Sequence, residues 1–110
     1  MITNLVLNSY LHGFDNGVNA GKISIQINRK NDKVIMNYSD NGKGMDQATV
    51  DKVFEPFFTT NRSDGSGLGM YICYSIVVND MKGSIRCTSA LGRGVHFEVV
   101  FPCGDLNENS

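Results

Sequence analysis

Two short glycine-rich motifs hold five of the twelve glycines of the chain. The first is Asp40–Gly44 (DNGKG), and the second is Gly65–Gly69 (GSGLG). Because glycine loses much conformational entropy on folding, such clusters indicate that the backbone must turn sharply or come close to another group. Turns at the ends of helices and strands explain either motif, taken alone, about as well as a functional site does.

The second motif leads directly into a predicted helix. A glycine-rich turn at the start of a helix exposes backbone N–H groups and the positive end of the helix dipole, and both favour phosphate. The motif lacks the lysine of a phosphate-binding P-loop, and it does not follow a strand within a compact βαβ unit. Neither a P-loop nor a dinucleotide-binding fold is therefore indicated.

Asp40 continues the alternation of Met36 and Tyr38, so it should point to the face of the strand that those side chains bury. A buried carboxylate needs partners, because an unpaired charge away from water is costly. It could cap the following turn by accepting hydrogen bonds from loop amides. It could instead accept from an exocyclic amine such as that of adenine, with Gly42 and Gly44 letting the ring approach the backbone.

Three polar side chains form a stripe on the first predicted helix. Asn4, Asn8 and His12 are spaced by four residues, and the other faces of this helix are apolar. A solvated edge would explain the stripe, but buried amides prefer hydrogen-bonding partners. Amide oxygens suit a hard cation, and nucleotide-bound Mg²⁺ keeps several waters and takes few protein ligands. One asparagine facing the phosphates would then suffice.

The segment Phe54–Thr60 (FEPFFTT) combines three phenylalanines with a polar continuation. Clustered phenylalanines usually belong to a core. Followed at once by the polar, glycine-bearing residues 59–66, they could instead be the hinge and anchor of a mobile lid. Arg62 could bring a positive charge to a terminal phosphate, although an exposed arginine is more often only solvated.

The elements that would position these residues follow from apolar periodicity. The predicted helices span residues 2–12, 46–53 and 68–81, the second capped by Asp46 and followed by Pro56, the third closed by Gly83. The predicted strands are a half-buried one through Ile23, Ile25 and Ile27, a second reached through the turn Asn31-Asp32, one around Ile85 and Cys87, and one over residues 95–101. We expect an α+β fold whose helices cover one face of a largely antiparallel sheet.

Composition narrows the class of protein. A chain of 110 residues is the size of one domain, and its net charge of −1 gives no field that would attract nucleic acid. Three cysteines without a CxxC pair favour a reducing compartment over disulfides or zinc. No apolar run approaches the roughly 20 residues of a membrane span. We expect a soluble, cytoplasmic domain over residues 1–103 and a disordered tail over 104–110.

Four motifs occur in a fixed order: Asn4–Ser9, Asp40–Met45, Phe54–Thr60 and Gly65–Met70. They resemble the N box, the first glycine box, the F box and the second glycine box of histidine kinase ATP-binding domains. The stretch 92–102 resembles the closing strand of that family, so the likeness covers residues 2–102. It implies the two-layer α/β sandwich called the Bergerat fold, shared with gyrase-type ATPases and heat-shock chaperones.

The resemblance also implies roles for particular residues. Asn8 would coordinate Mg²⁺, Asp40 would bind the adenine amine, and residues 59–66 would form a lid over ATP. The backbone amides of Gly67, Leu68 and Gly69 would bind the phosphates. The residues predicted to bind the nucleotide are Asn8, His12, Asp40, Gly42, Gly44, Met45, Phe54, Thr59, Thr60, Arg62, Gly65, Ser66, Gly67, Leu68 and Gly69. Asn4 and Asn8 are the predicted catalytic residues.

The chain departs from the family pattern in two places. Val95 stands where threonine or serine is usual. The family also has a pair of strands and the first turns of a helix before the N box, and these are missing. We therefore expect an amino-terminally truncated domain that lacks the usual first strands, with a bare sheet edge prone to homodimer formation or strand exchange.

The function implied is transfer of the γ-phosphoryl group of ATP to a histidine on a separate dimerisation domain, with a response regulator downstream. His12 and His96 lie in no acceptor motif, so transfer would occur in trans. Two alternatives stay open. One is a nucleotide-binding or protein-binding module without turnover. The other is an ATPase or anti-sigma serine kinase of the same fold, but Asn4 stands where those enzymes place a general-base glutamate.

Overall fold

The computed structural model describes residues 2–14, 21–58 and 68–103. Helix α1 covers Ile2–Asn8 and continues as a π-helical turn over Ser9–Gly13. The short helix α2 covers Gln47–Val50, and α3 covers Gly69–Ser75 and continues as a π-helical turn over Ile76–Asp80. The strands are β1 (Ile23–Lys30), β2 (Lys33–Asp40), β3 (Ser84–Ser89) and β4 (Val95–Pro102).

The four strands form one antiparallel sheet in the order β1-β2-β4-β3. Strands β1 and β2 make a hairpin whose register pairs Ile23 with Asp40 and Lys30 with Lys33. The predicted turn lies between them, where Asn31 adopts a left-handed φ of 58° that asparagine tolerates better than most residues. The predicted strands and their antiparallel arrangement are thus confirmed.

The core lies between the helices and one face of the sheet. Leu5 on α1 and Cys73 and Val77 on the α3 helix are fully buried against Tyr38 of β2 and Phe97 of β4. The register places the buried side chains of β2, β4 and β3 on this same face, since Tyr38 pairs with Phe97 and Phe97 with Cys87. The predicted two-layer α+β architecture is confirmed.

The prediction of a half-buried first strand is wrong. All of β1 is exposed, and Ile23, Ile25 and Ile27 are 37–62% accessible. The alternation does identify their face correctly, because Ile25 pairs with Tyr38 across the hairpin. However, α1 packs over β2, through Leu5 and Ser9, and β1 is an edge strand. Alternation predicts the direction of side chains and not whether a second layer covers them.

The short helix begins where the sequence predicts and ends earlier. The Asp46 carboxylate accepts a hydrogen bond from the backbone N–H of Thr49 at 2.9 Å, which confirms the predicted N-cap. The helix proper ends at Val50, and the chain continues through turns instead of reaching residue 53 in helical form. The boundary shift is of the size that helix ends commonly show.

Gly83 closes the α3 helix, as predicted, and its backbone lies close to the sheet. The left-handed position after the helix belongs to Lys82, whose φ is 57°. The Gly83 N–H donates to the Val77 carbonyl at 2.8 Å, and a Cβ on Gly83 would overlap the carbonyl oxygen of Val100 on β4. Glycine is therefore needed here so that the helix end can approach the sheet, and not for its left-handed conformation.

Candidate nucleotide-binding site

Asp40 ends β2 as a buried carboxylate, 8% exposed, held by three neutral donors. Its Oδ1 accepts from the backbone N–H groups of Gly42 at 3.0 Å and Val95 at 3.1 Å, and its Oδ2 accepts from the Ser9 hydroxyl at 2.6 Å. A carboxylate offers about four acceptor positions. Donors among the described residues use three of these positions, which leaves one position on Oδ2 without a donor from that part of the chain.

The hydrogen bond from the Gly42 amide is the one expected if Asp40 caps the turn after β2. The remaining acceptor position could take the hydrogen of an exocyclic amine. Asp40 can therefore fill both predicted roles. The bonds to Ser9 and Val95 tie the end of β2 to α1 and to the start of β4, which fixes the direction in which Oδ2 points.

Ser9 is a residue of this site that the sequence analysis did not single out. It is 1% exposed, and its hydroxyl lies 2.6 Å from the hydroxyl of Tyr38, which is fully buried. The Tyr38 hydroxyl is also 3.1 Å from the Leu5 carbonyl oxygen. The sequence feature that could have identified Ser9 is its position one helical turn after Leu5, which places its hydroxyl on the side of the helix that the apolar pattern buries.

Gly42 lies against the end of the first helix. A Cβ on Gly42 would stand 2.7 Å from the carbonyl oxygen of Gly13, and one on Gly13 would stand 3.3 Å from Asp40 Oδ2. The Lys43 N–H donates to the same Gly13 carbonyl at 3.0 Å. The close backbone approach predicted at the first glycine motif is real, and in this structure the neighbouring group is the backbone of Gly13.

The rest of the first glycine motif is fastened to the turn between β3 and β4. Gly44 has a φ of 73°, and a Cβ there would overlap the carbonyl oxygen of Ala90. The Met45 N–H donates to Ser89 Oγ at 2.8 Å, and that hydroxyl donates to the Gly94 carbonyl at 2.7 Å. Packing alone therefore accounts for glycine at position 44, whatever the motif binds.

The polar stripe belongs to the same first helical segment as Ser9. Asn4, Asn8 and His12 are each half-buried. Asn8 directly precedes Ser9, whose hydroxyl bonds to Asp40, so its backbone lies next to the residue that contacts the carboxylate. Helix α1 also packs against α3, whose first residue belongs to the second glycine motif. The fold thus joins the first helix to Asp40 and packs that helix against the one that follows the second glycine motif.

The remaining predicted residues divide into two groups. Phe54 packs in the core, with ring centroids 5.5 Å from Tyr74 and 6.1 Å from Phe97. Leu68 is half-buried just before α3, and the Cβ position of Gly69 faces open space, with nothing within 4 Å. The predicted residues Thr59, Thr60, Arg62, Gly65, Ser66 and Gly67 lie outside the described residues.

The chain belongs to the family of histidine kinase-, DNA gyrase B- and HSP90-like ATPases, whose model matches residues 1–105. The sandwich of helices on an antiparallel sheet is the fold of solved histidine kinase catalytic domains. One structure of the catalytic domain of histidine kinase ThkA superposes with a TM-score of 0.70 at 30% identity, over 90% of this chain and 60% of that one.

Relatives among curated proteins are sensor kinases. Sporulation kinase D of Bacillus subtilis is 33% identical over 101 residues, which are 92% of this chain and 20% of the relative. Sensor histidine kinase ZraS of Salmonella typhimurium is 32% identical over 102 residues, 92% of this chain and 22% of the relative. The chain therefore has the sequence and the fold of the ATP-binding catalytic domain of such kinases, and it spans about a fifth of their length.

The described residues contain neither a membrane-spanning helix nor a cluster of metal-binding side chains. No helix in the described ranges is long and apolar enough to cross a membrane. In the same ranges, no group of three or more histidine, cysteine, aspartate or glutamate side chains could hold a metal ion.

Proposed function

We propose that the chain binds ATP with Mg²⁺ and presents the γ-phosphoryl group to a histidine on a separate phosphoacceptor domain of its parent protein. The observation that carries this proposal is the bonding of Asp40. A buried carboxylate that accepts hydrogen bonds from three described donors, and that keeps one acceptor position on Oδ2 unused by the described residues, suits the N–H of an exocyclic amine. Residues 1–103 would form the binding unit.

The phosphates would lie at the start of α3. Residues 67–69 of the second glycine motif precede or begin that helix, and the first N–H groups of a helix have no acceptor within the helix. The open space at Gly69 leaves these donors approachable. Arg62 and the segment 59–66 would cover the triphosphate once it is bound.

The metal ligands available in the described residues fit a magnesium ion that is bound mainly through the nucleotide. Asn8 offers one half-buried amide oxygen, and among the described residues no cluster of acidic groups would form a complete cage. Mg²⁺ in such sites takes one or two protein ligands and fills its sphere with phosphate oxygens and water. The ion would neutralise charge that develops on the transferring group. Asn8 would hold it, and Asn4, one turn earlier, would support its position.

The absence of a base at these two positions favours transfer over hydrolysis. Amide side chains cannot take a proton from water, so neither Asn4 nor Asn8 can activate a hydrolytic nucleophile. Phosphoryl transfer needs mainly positioning and charge neutralisation, and the incoming histidine would be its own nucleophile. A response regulator would receive the group afterwards. The free thiols Cys73, Cys87 and Cys103 are consistent with a cytoplasmic location.

Calorimetry with a non-hydrolysable ATP analogue, with and without Mg²⁺, tests this proposal. We expect the analogue to bind more tightly with Mg²⁺ than without it. Asn8→Ala should lower the affinity measured with Mg²⁺ about tenfold, because the ion loses one protein ligand. Asn79→Ala is the matched control, since Asn79 is exposed at the far end of the α3 helix. An affinity that changes neither with Mg²⁺ nor with Asn8→Ala would contradict the assignment of Asn8 as the metal ligand.

We also propose that two copies of the chain associate through β1. This strand lies at the sheet edge, and its isoleucines are exposed on the face that the other strands bury. An exposed, apolar edge strand offers unpaired backbone groups and side chains to a second strand.

Sedimentation should show a concentration-dependent dimer that Ile25→Lys weakens. The charge would have to be buried between the copies, which disfavours the dimer. Leu91→Lys is the matched control, because Leu91 is 70% exposed and lies in the distant β3–β4 turn. A chain that stays monomeric at all concentrations, or that responds equally to both substitutions, would rule this interface out.

A further inference from the structure

A pair of buried hydroxyl groups lies behind the Asp40 carboxylate. Ser9 Oγ is 2.6 Å from Asp40 Oδ2 and 2.6 Å from the Tyr38 hydroxyl, which is in turn 3.1 Å from the Leu5 carbonyl oxygen. The side chains of Ser9 and Tyr38 are almost completely buried. Turn capping needs neither of them, because the Gly42 amide already caps through Oδ1.

The number of protons available determines which hydroxyl donates in each of these hydrogen bonds. Each hydroxyl has one proton to donate, and a carboxylate oxygen can only accept. The Ser9 proton is therefore used on Asp40. The 2.6 Å contact between the two hydroxyls then requires the Tyr38 proton, since two hydroxyl oxygens at that distance without a proton between them would repel. The Leu5 carbonyl, at 3.1 Å, is the weaker competitor for that proton.

The environment of Tyr38 keeps it a donor. Burial raises the pKa of the Tyr38 hydroxyl above its ordinary value of 10.0; the bond with Ser9 partly offsets this rise, and the nearby Asp40 charge adds to it. The hydroxyl therefore keeps its proton at neutral pH. The bonds run from Tyr38 to Ser9 and from Ser9 to Asp40, and a buried chain of this kind polarises each member in the same direction.

We infer that Tyr38 and Ser9 are positioning residues that fix the free acceptor position of Asp40 Oδ2 and so make the site select 6-amino purines over 6-oxo purines. This inference rests on the proposed nucleotide function. A 6-oxo purine presents an oxygen where adenine presents N–H donors, so two acceptors would face each other in a buried site. The selection is lost to the extent that Oδ2 can turn away from the base.

The matched roles of the two residues give a distinctive prediction. Ser9 contacts the carboxylate, while Tyr38 acts on it only through Ser9. Ser9→Ala should lower the affinity ratio between the adenosine and inosine triphosphate analogues about tenfold, and Tyr38→Phe about threefold. The double variant should lose no more than Ser9→Ala alone, because without the Ser9 hydroxyl Tyr38 has no path to Asp40. Ser9→Thr, which keeps a hydroxyl, should retain most of the ratio.

The experiment is calorimetry of the full chain with non-hydrolysable analogues of adenosine and inosine triphosphate in the presence of Mg²⁺. The two ligands share the ribose and the triphosphate, so general loosening of the fold weakens both and leaves their ratio unchanged. Tyr10→Phe and Ser84→Ala are the controls, because both side chains are exposed and should leave the ratio unaltered. Should Ser9→Ala not fold, Tyr38→Phe carries the test, since it keeps the buried aromatic ring and the direct bond between Ser9 and Asp40.

The outcomes separate this inference from the proposal beneath it. Affinity losses that are equal for the two ligands would overturn the positioning role while leaving nucleotide binding in place. The same holds if the falls in the affinity ratio caused by the two single substitutions multiply in the double variant. An unmutated chain that binds neither analogue would overturn both. A ratio that falls in the single variants and does not fall further in the double variant supports the inference.

Discussion

Asp40→Asn should lower the affinity for a non-hydrolysable ATP analogue about a hundredfold, because it replaces the acceptor that faces the adenine amine with a donor. The carbonyl oxygen of the asparagine can still accept from the Gly42 and Val95 amides, as Oδ1 of Asp40 does. Its amide nitrogen would then occupy the place of Oδ2 and point two N–H groups toward Ser9 and the ligand. Calorimetry of the two forms measures the loss.

The fold should tolerate this substitution, which separates binding from stability. The new N–H can donate to Ser9, whose own proton then turns to Tyr38, and Tyr38 donates to the Leu5 carbonyl, 3.1 Å away. Every buried polar group keeps a hydrogen-bonding partner, so the free energy of unfolding measured in urea should change by no more than about 1 kcal/mol. The variant should also bind the inosine analogue better than the adenosine analogue. Unchanged adenosine affinity would show that Asp40 does not contact the base.

Gly94→Ala should destabilise the chain by about 3 kcal/mol, since it combines backbone strain with an overlap that cannot be relieved by a side-chain rotation. Gly94 has a φ of 72°, and a Cβ there would overlap the carbonyl oxygen of Asp40. Relief would require β2 and β4 to separate at the point where Val95 donates to Asp40. Nucleotide affinity should fall together with stability for that reason.

Gly92→Ala is the matched control for this prediction. Gly92 has a similar φ of 79°, but nothing lies within 4 Å of its Cβ position. Alanine at position 92 should therefore cost only the strain of a left-handed conformation, about 1 kcal/mol. Urea unfolding of the two variants measures the difference. Equal losses would mean that the close approach of Gly94 to Asp40 contributes nothing to stability.

The sequence was sufficient to predict the fold class and the burial of Asp40. Alternation with period two placed Asp40 on the face of Met36 and Tyr38, and the structure finds all three buried there. The N-cap at Asp46 was equally local and equally predictable. These features depend on a few neighbouring residues, so short patterns contain the information.

Features that depend on distant segments were not predictable in this way. The exposure of Ile25 depends on which strand α1 covers, and nothing in the alternation of β1 encodes it. Ser9 looked like one more residue of an apolar helical face, because its partner Tyr38 lies 29 positions away along the chain. Gly83 was predicted only to close the third helix, and its close approach to the Val100 carbonyl oxygen of β4 depends on a strand far along the chain. Each of these features depends on tertiary contacts.

The positions of Thr59, Arg62 and Gly67 stay predictions from sequence. They were assigned through the resemblance of the F box and the second glycine box, and they lie outside the described residues. What the structure adds is the placement of their neighbours, Phe58 at one end and Leu68 at the other. Leu68 directly precedes a helix whose first residue, Gly69, faces open space.

The central claim is that one nucleotide bridges the end of β2 and the start of α3. Titration of the isotopically labelled chain with a non-hydrolysable ATP analogue and Mg²⁺, followed through the backbone amide resonances, tests it most directly. We expect the largest shifts at Gly42 and Val95, which bond to Asp40, and at Leu68 and Gly69. Shifts confined to one of these two places, or centred on the opposite face of the sheet, would contradict the claim.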